Sequence, residues 1–196
     1  MNRNLILSMA LLGASLGVCA QTAATTVQRD VNQQERIEQG LKSGALSTSE
    51  AARLEREQSA ISRQQSRALA DGKLTPAEQA RLRASQNKAS RDIRAAKTNE
   101  VTGDPQSASS QRLQADVQRN INQGKRIEAG VQNGSLTNRE VAKLERGQAR
   151  VEGKEARAGR DGHVSAAEQA RVQHTENRQS QRIRHEKHDA QVRNPG

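Results

Sequence analysis

The chain has 196 residues, a formal charge of +10, 32% hydrophobic residues and no Phe, Tyr or Trp. Without aromatic rings it lacks their large buried area, and it offers no stacking platform for single-stranded nucleic acid. The length allows one domain or two small ones, and so polar a composition implies a thin aliphatic core.

Residues 1–20 read as a signal peptide. Arg3 precedes the apolar run Leu5-Ile6-Leu7-Ser8-Met9-Ala10-Leu11-Leu12, small residues continue to Ala20, and no acid occurs before Asp30. The run is too short for a spanning helix. Val18-Cys19-Ala20 places cleavage between Ala20 and Gln21. The competing reading acylates Cys19, but Val18 is bulky where a lipoprotein peptidase takes Gly, Ala or Ser. Cleavage after Ala20 removes the one cysteine, so the exported chain has neither disulfide nor thiol chemistry. The expected location is periplasmic or secreted.

Downstream of the leader the chain is duplicated at an offset of ninety residues. Val27-Gln28-Arg29 returns as Val117-Gln118-Arg119, Arg36-Ile37-Glu38 as Arg126-Ile127-Glu128, and Ala77-Glu78-Gln79-Ala80-Arg81 as Ala167-Glu168-Gln169-Ala170-Arg171. Roughly 31 of about 74 aligned positions are identical. The organisation expected is repeat unit 1 over 27–100, a flexible polar linker over 101–115, repeat unit 2 over 116–190 and a frayed tail over 191–196. Retained apolar pairs such as Leu46/Leu136, Ile61/Val151 and Ile93/Ile183 mark a shared core. Changed polar stretches, such as Ser62-Arg63-Gln64-Gln65 against Glu152-Gly153-Lys154-Glu155, read as facing water.

Within each unit the spacing predicts three helices, over 27–42, 48–70 and 76–98, with counterparts ninety residues later. Leu54, Ile61 and Ala68 recur at seven-residue spacing, and Leu82, Ala89, Ile93 and Ala96 form a second stripe. Gly44, Gly72, Gly134 and Gly162 are placed to end helices through positive φ. A Ser or Thr with Glu50, Glu78, Glu140 or Glu168 three residues later forms a capping box for the next helix. Pro76 sits at the favoured first position. No stretch alternates like a strand. The fold class expected is all-α: two tandem three-helix units, built as helical hairpins, after a cleaved signal peptide.

The segments Asp71-Gly72-Lys73-Leu74-Thr75-Pro76-Ala77-Glu78 and Asp161-Gly162-His163-Val164-Ser165-Ala166-Ala167-Glu168 resemble the second half of a degenerate EF-hand loop. The acidic positions that open such a loop hold Arg67 and Leu69, or Arg157 and Gly159, so capping explains these residues without an ion. As a whole the chain is similar to small, basic, α-helical proteins of undefined role that bacteria export.

All four histidines lie in the second unit, where the first has Lys73, Ala84, Ala95 and Thr98. His185 and His188, one turn apart, could chelate a transition metal with Asp189. That constellation is the candidate metal site, and the charges of Arg182, Arg184 and Lys187 oppose it. No G-x-S-x-G, H-E-x-x-H or phosphate-cradling glycine loop is present. The functional expectation is a non-enzymatic envelope protein, cofactor-free, with a binding or structural role. Its charge favours an anionic polymer or protein partner, with self-association as a further mode and no specific nucleic acid. The alternative is a periplasmic divalent-metal-binding or metal-stress protein.

Overall fold

At each of the four turns marked in the sequence a hydroxyl side chain starts the next helix, but only Gly44 and Gly134 stand at the end of the preceding one. Gly72 and Gly162 lie three residues past the C-caps Leu69 and Gly159, where they turn the chain. The computed structural model describes residues 15–189, with side chains from residue 23. Six helices run along them: α1 (Ser15–Ser43), α2 (Thr48–Ala68), α3 (Pro76–Lys97), α4 (Ala108–Gln132), α5 (Asn138–Ala158) and α6 (Ala166–His188). The described residues contain no strand, so the chain is all-α. Gly44, Gly72, Gly134 and Gly162 all have φ between 75° and 89°, a region that side chains rarely enter. Ser47, Thr75, Thr137 and Ser165 accept from the amides of Glu50, Glu78, Glu140 and Glu168, whose carboxylates return to the cap backbone. Asp71 and Asp161 accept from the amides of Lys73 and His163, at 2.9 and 3.0 Å. The acids of the EF-hand-like segments are thus engaged with backbone N–H groups. Thr75→Ala should therefore lower stability by about 1 kcal/mol in urea unfolding, the usual worth of a cap.

Two boundaries differ from expectation. α4 begins at Ala108, inside the stretch read as linker, because Ser107 caps it by accepting from Ser110 N. Ser109 and Ser110 are buried there, and Ser109 Oγ accepts from Val164 N at 3.0 Å. Those serines serve close packing. The connection before them is also held in place: Gly103 N donates to Gly44 O at 2.8 Å, and a Cβ at Gly103 would lie 2.2 Å from Leu46 O. At the other end, α1 runs from Ser15 through the expected cleavage position. The apolar run of the leader and the tail from residue 190 lie outside the described residues. Among those described, no helix is long and apolar enough to cross a membrane.

The two repeats interlock. The most extensive contacts join two helices to their own copies, α2 to α5 and α1 to α4, while α3 and α6 pack on the helices of their own repeats. Ser59 Oγ donates to Ala149 O at 2.7 Å and Ser62 Oγ to Glu152 Oε2 at 2.8 Å, each across ninety residues of sequence. Ala52 meets Gly159 while Gly72 meets Arg139, so α2 and α5 run antiparallel about a pseudo-twofold axis near Ala60 and Arg150. One core joins Leu41, Leu46, Leu54 and Ile93 of the first repeat to Leu113, Val117 and Val172 of the second. The other joins Val27, Leu69 and Leu82 to Ile127, Leu136, Leu144 and Ile183. Apart from Val31 and Ile121, which share one cluster, and Leu69 and Leu113, whose counterparts are Gly159 and Ala23, the large side chains of each core stand at the ninety-residue images of the other's. With no large ring to span a thick core, small residues bring the helices close: a Cβ on Gly124 would lie 2.8 Å from Val31 Cγ2.

Candidate functional site

Polar pins repeated in both halves set α3 and α6 in place. Gln33 donates to Gln86 O and Ser90 Oγ, while Gln123 donates to Glu176 O and Ser180 Oγ, all within 2.7–3.1 Å. Arg36 and Arg126 donate to the carbonyls of Ser90 and Ser180. Pinned this way, the outer grooves α2–α3 and α5–α6 are equivalent in backbone. Their chemistry differs.

In the α2–α3 groove, Lys88 sits between Glu57 and Asp92, at 3.3 and 2.5 Å, in ion pairs on the outer surface. At the matching places of α5–α6 the residues are Arg178, Gly147 and Arg182, and Arg150 replaces Ala60. Both acids are gone and three arginines remain, lining a cleft of about 250 Å³ with Thr175 and Gln179 at its floor. Gln179 is buried and donates from Nε2 to Leu144 O at 2.9 Å. Its Oε1 would lie 1.8 Å from a Cβ at Gly147, so glycine there lets the amide lie across α5. Arg150, Arg178 and Arg182 are exposed at the rim, with no ion pair to an acid among the described residues. Three guanidinium forks around a recess can take a phosphate, sulfate or carboxylate by charge-assisted hydrogen bonds.

Sequence reasoning did not assemble this cleft, because its cations come from separate helices and form no run. The legible signal was the exchange Glu57 to Gly147 and Asp92 to Arg182 between otherwise similar repeats.

A second polar feature is internal. Asp30, Glu55, Asp116, Glu145, Glu152, Glu155 and Glu176 lie in the interior, Asp116 and Glu176 between α4 and α6 and the others around the packing of the two repeats. Burial pushes Asp30, Glu55 and Asp116 up to about 7 and Glu176 up to about 8. Burial also drives Glu145, Glu152 and Glu155 well above the carboxylate range, with the charges of neighbouring acids adding to it. Arg119 Nε, 3.0 Å from Glu176 Oε2, is the one cation in ion-pair contact with this set among the described residues. Beside Asp30, Glu145 and Glu152 lies a cavity of about 20 Å³, room for a single water. Ser62, Gln65, Glu152 and Glu155 therefore belong to the interior, although their variation between the repeats reads as that of a wet face.

His185 and His188 are exposed on the last turn of α6. Asp189 instead converges with Glu140 and Glu186, their ligand atoms all within 4.8 Å of one another. Neither histidine belongs to that group. His163 lies against the start of α4, its Nδ1 3.3 Å from Ser109 Oγ, and His174 is exposed. No family model, no curated protein and no solved structure matches the chain.

Proposed function

We propose that this chain is an exported, non-enzymatic binding protein whose α5–α6 cleft seats an anionic group of an envelope polymer or protein partner. The observation that carries this reading is the fate of one groove in two copies. The first copy neutralises its lysine with Glu57 and Asp92, whereas the second has lost both acids and gained Arg150 and Arg182. An arginine cluster without countercharge repels itself, which an anionic ligand relieves. Export rests on the tripartite leader, and the two three-helix units remain the natural description of the repeat even though their cores are shared.

The test is retention of the purified chain on phosphate- and sulfate-bearing polymers at low salt. The triple variant Arg150→Ala, Arg178→Ala, Arg182→Ala should elute with the void. A control removing equal charge elsewhere, Arg56→Ala, Arg83→Ala, Arg94→Ala, should retain most of the binding. Equal loss in both variants would reduce the interaction to net charge and end the case for a cleft.

A further inference from the structure

The junction between the start of α5 and the end of α6 contains a second charge exchange, independent of the arginine cleft. In the first repeat the equivalent junction is closed by hydrogen bonding: Asn99 Nδ2 donates to Glu50 Oε1 at 2.6 Å. Glu50 Oε2 meanwhile serves the capping box, accepting from Ser47 N and Oγ. Both oxygens are satisfied.

In the second repeat Glu140 keeps the capping task, its Oε2 accepting from Thr137 N and Oγ1 at 2.6 and 2.8 Å. But Asn99 has become Asp189, which as a carboxylate has no hydrogen to donate, and Ala96 has become Glu186. Glu140 is 1% exposed, and its Oε1, the oxygen that faces the Asn99 position in the first repeat, is buried with no hydrogen-bond partner. A buried carboxylate oxygen without a donor is costly. Two further carboxylates also approach the Glu140 carboxylate, with one oxygen of each of the three residues within 4.8 Å of the others. Lys143 meets Glu186, Nζ to Oε2 at 3.3 Å, and leaves Glu140 Oε1 unserved.

We propose that Glu140 Oε1, Glu186 and Asp189 bind a hard divalent cation, with Ca²⁺ the best match. Three carboxylates with no nitrogen or sulfur donor suit calcium, magnesium or manganese rather than copper or zinc. Calcium takes six to eight oxygens in flexible geometry, and carboxylates that bind through one or both oxygens meet that demand more readily than magnesium's strict octahedron. α6 ends at His188, so its terminal carbonyls lie beside Asp189, and the negative end of a helix favours a cation. The site ties the last turn of α6 to the first turn of α5, as the Asn99–Glu50 hydrogen bond does in the other half.

Calorimetric titration and thermal unfolding of the full chain with CaCl₂ test this, with MgCl₂ and ZnCl₂ as comparison arms. Ca²⁺ should give a saturable heat with unit stoichiometry and raise the thermal midpoint. Asp189→Asn and Glu186→Ala each install the residue that the first repeat already carries, so both should fold. Each should weaken Ca²⁺ at least tenfold, while His185→Ala with His188→Ala leaves it unchanged, and so does the triple arginine variant. No calcium response, or an undiminished one in Asp189→Asn and Glu186→Ala, overturns the proposal. So does a response confined to Zn²⁺ that vanishes with the two histidines.

Discussion

The thermal midpoint of this protein should fall as the pH rises from about 5 to about 8, the reverse of the behaviour that paired surface carboxylates produce. Seven carboxyl groups lie in the interior, and burial raises all of them. In the unfolded chain they ionise near 3.8 for Asp and 4.5 for Glu. Below those values a group is protonated in both states and pH has no effect through it. Between about 4 and about 7 the folded chain holds protons that the unfolded chain has released, so raising the pH favours unfolding. Each such group contributes about 1.4 kcal/mol per pH unit across its window. Two groups acting over about three pH units approach the whole stability of an ordinary small domain. At the acid end the sign reverses. Hydrogen bonds from Ser165 hold Glu168 below its usual range, and at Glu50 partial burial is outweighed by bonds from Asn99 and Ser47. Those two lend stability that is lost as the pH falls through their lowered values, so the maximum should lie at about pH 4–5. The repeat supplies ready-made controls: Asn120, Gln65 and Gln86 stand where the other copy has Asp30, Glu155 and Glu176. The variant Asp30→Asn, Glu155→Gln, Glu176→Gln should fold and show a much shallower alkaline decline by calorimetry. A midpoint flat from about pH 5 to about pH 8 in the parent chain would mean that water reaches these groups and leaves them ordinary.

The helices and turns were legible in the sequence because their causes are local. Gly72 with Thr75 and Glu78 carries its geometry in a few adjacent residues, and so do the other three turns. The pairing of α2 with α5 was not legible, since Leu54 shows that it is buried but not that its core includes Leu113 and Val117. The reading of polar positions failed for a related reason. Glu152 and Glu155 look solvated by composition, yet they sit where helices approach closely, at Ser62 and in the shared interior. Identical polar pairs such as Gln33/Gln123, Arg36/Arg126 and Ser90/Ser180 were visible as identities, and their meaning as helix pins needed the contacts. The arginine cleft and the Glu140 cluster lay in the differences between the copies. An apolar pattern held in common masks such exchanges, whereas position-by-position comparison of charge brings them out.

Neither repeat alone should fold as a monomer, and equimolar mixing of the two should restore the structure. A chain ending at Gly103 keeps α1–α3 but loses Leu113, Val117 and Val172 from one core and Ile127, Leu136 and Leu144 from the other. What remains is half of each core, with Ile37, Leu41 and Leu54 opened to water at roughly 1.5–3 kcal/mol each. Separated halves should therefore show weak helical circular dichroism without a cooperative thermal transition, and the mixture should regain both at one-to-one stoichiometry. Pairing of unlike halves should also be preferred to pairing of two second repeats. The second repeat supplies Asp116, Glu145, Glu152, Glu155 and Glu176 to the interior, against Asp30 and Glu55 from the first. Two second repeats together would double the larger set, so their association should weaken most steeply with rising pH. The mixed pair buries fewer acids and should outlast it above neutrality. Cooperative unfolding of either half as a monomer would show that a single repeat can complete a core by itself, and the interlocked arrangement would then be packing added to two finished units.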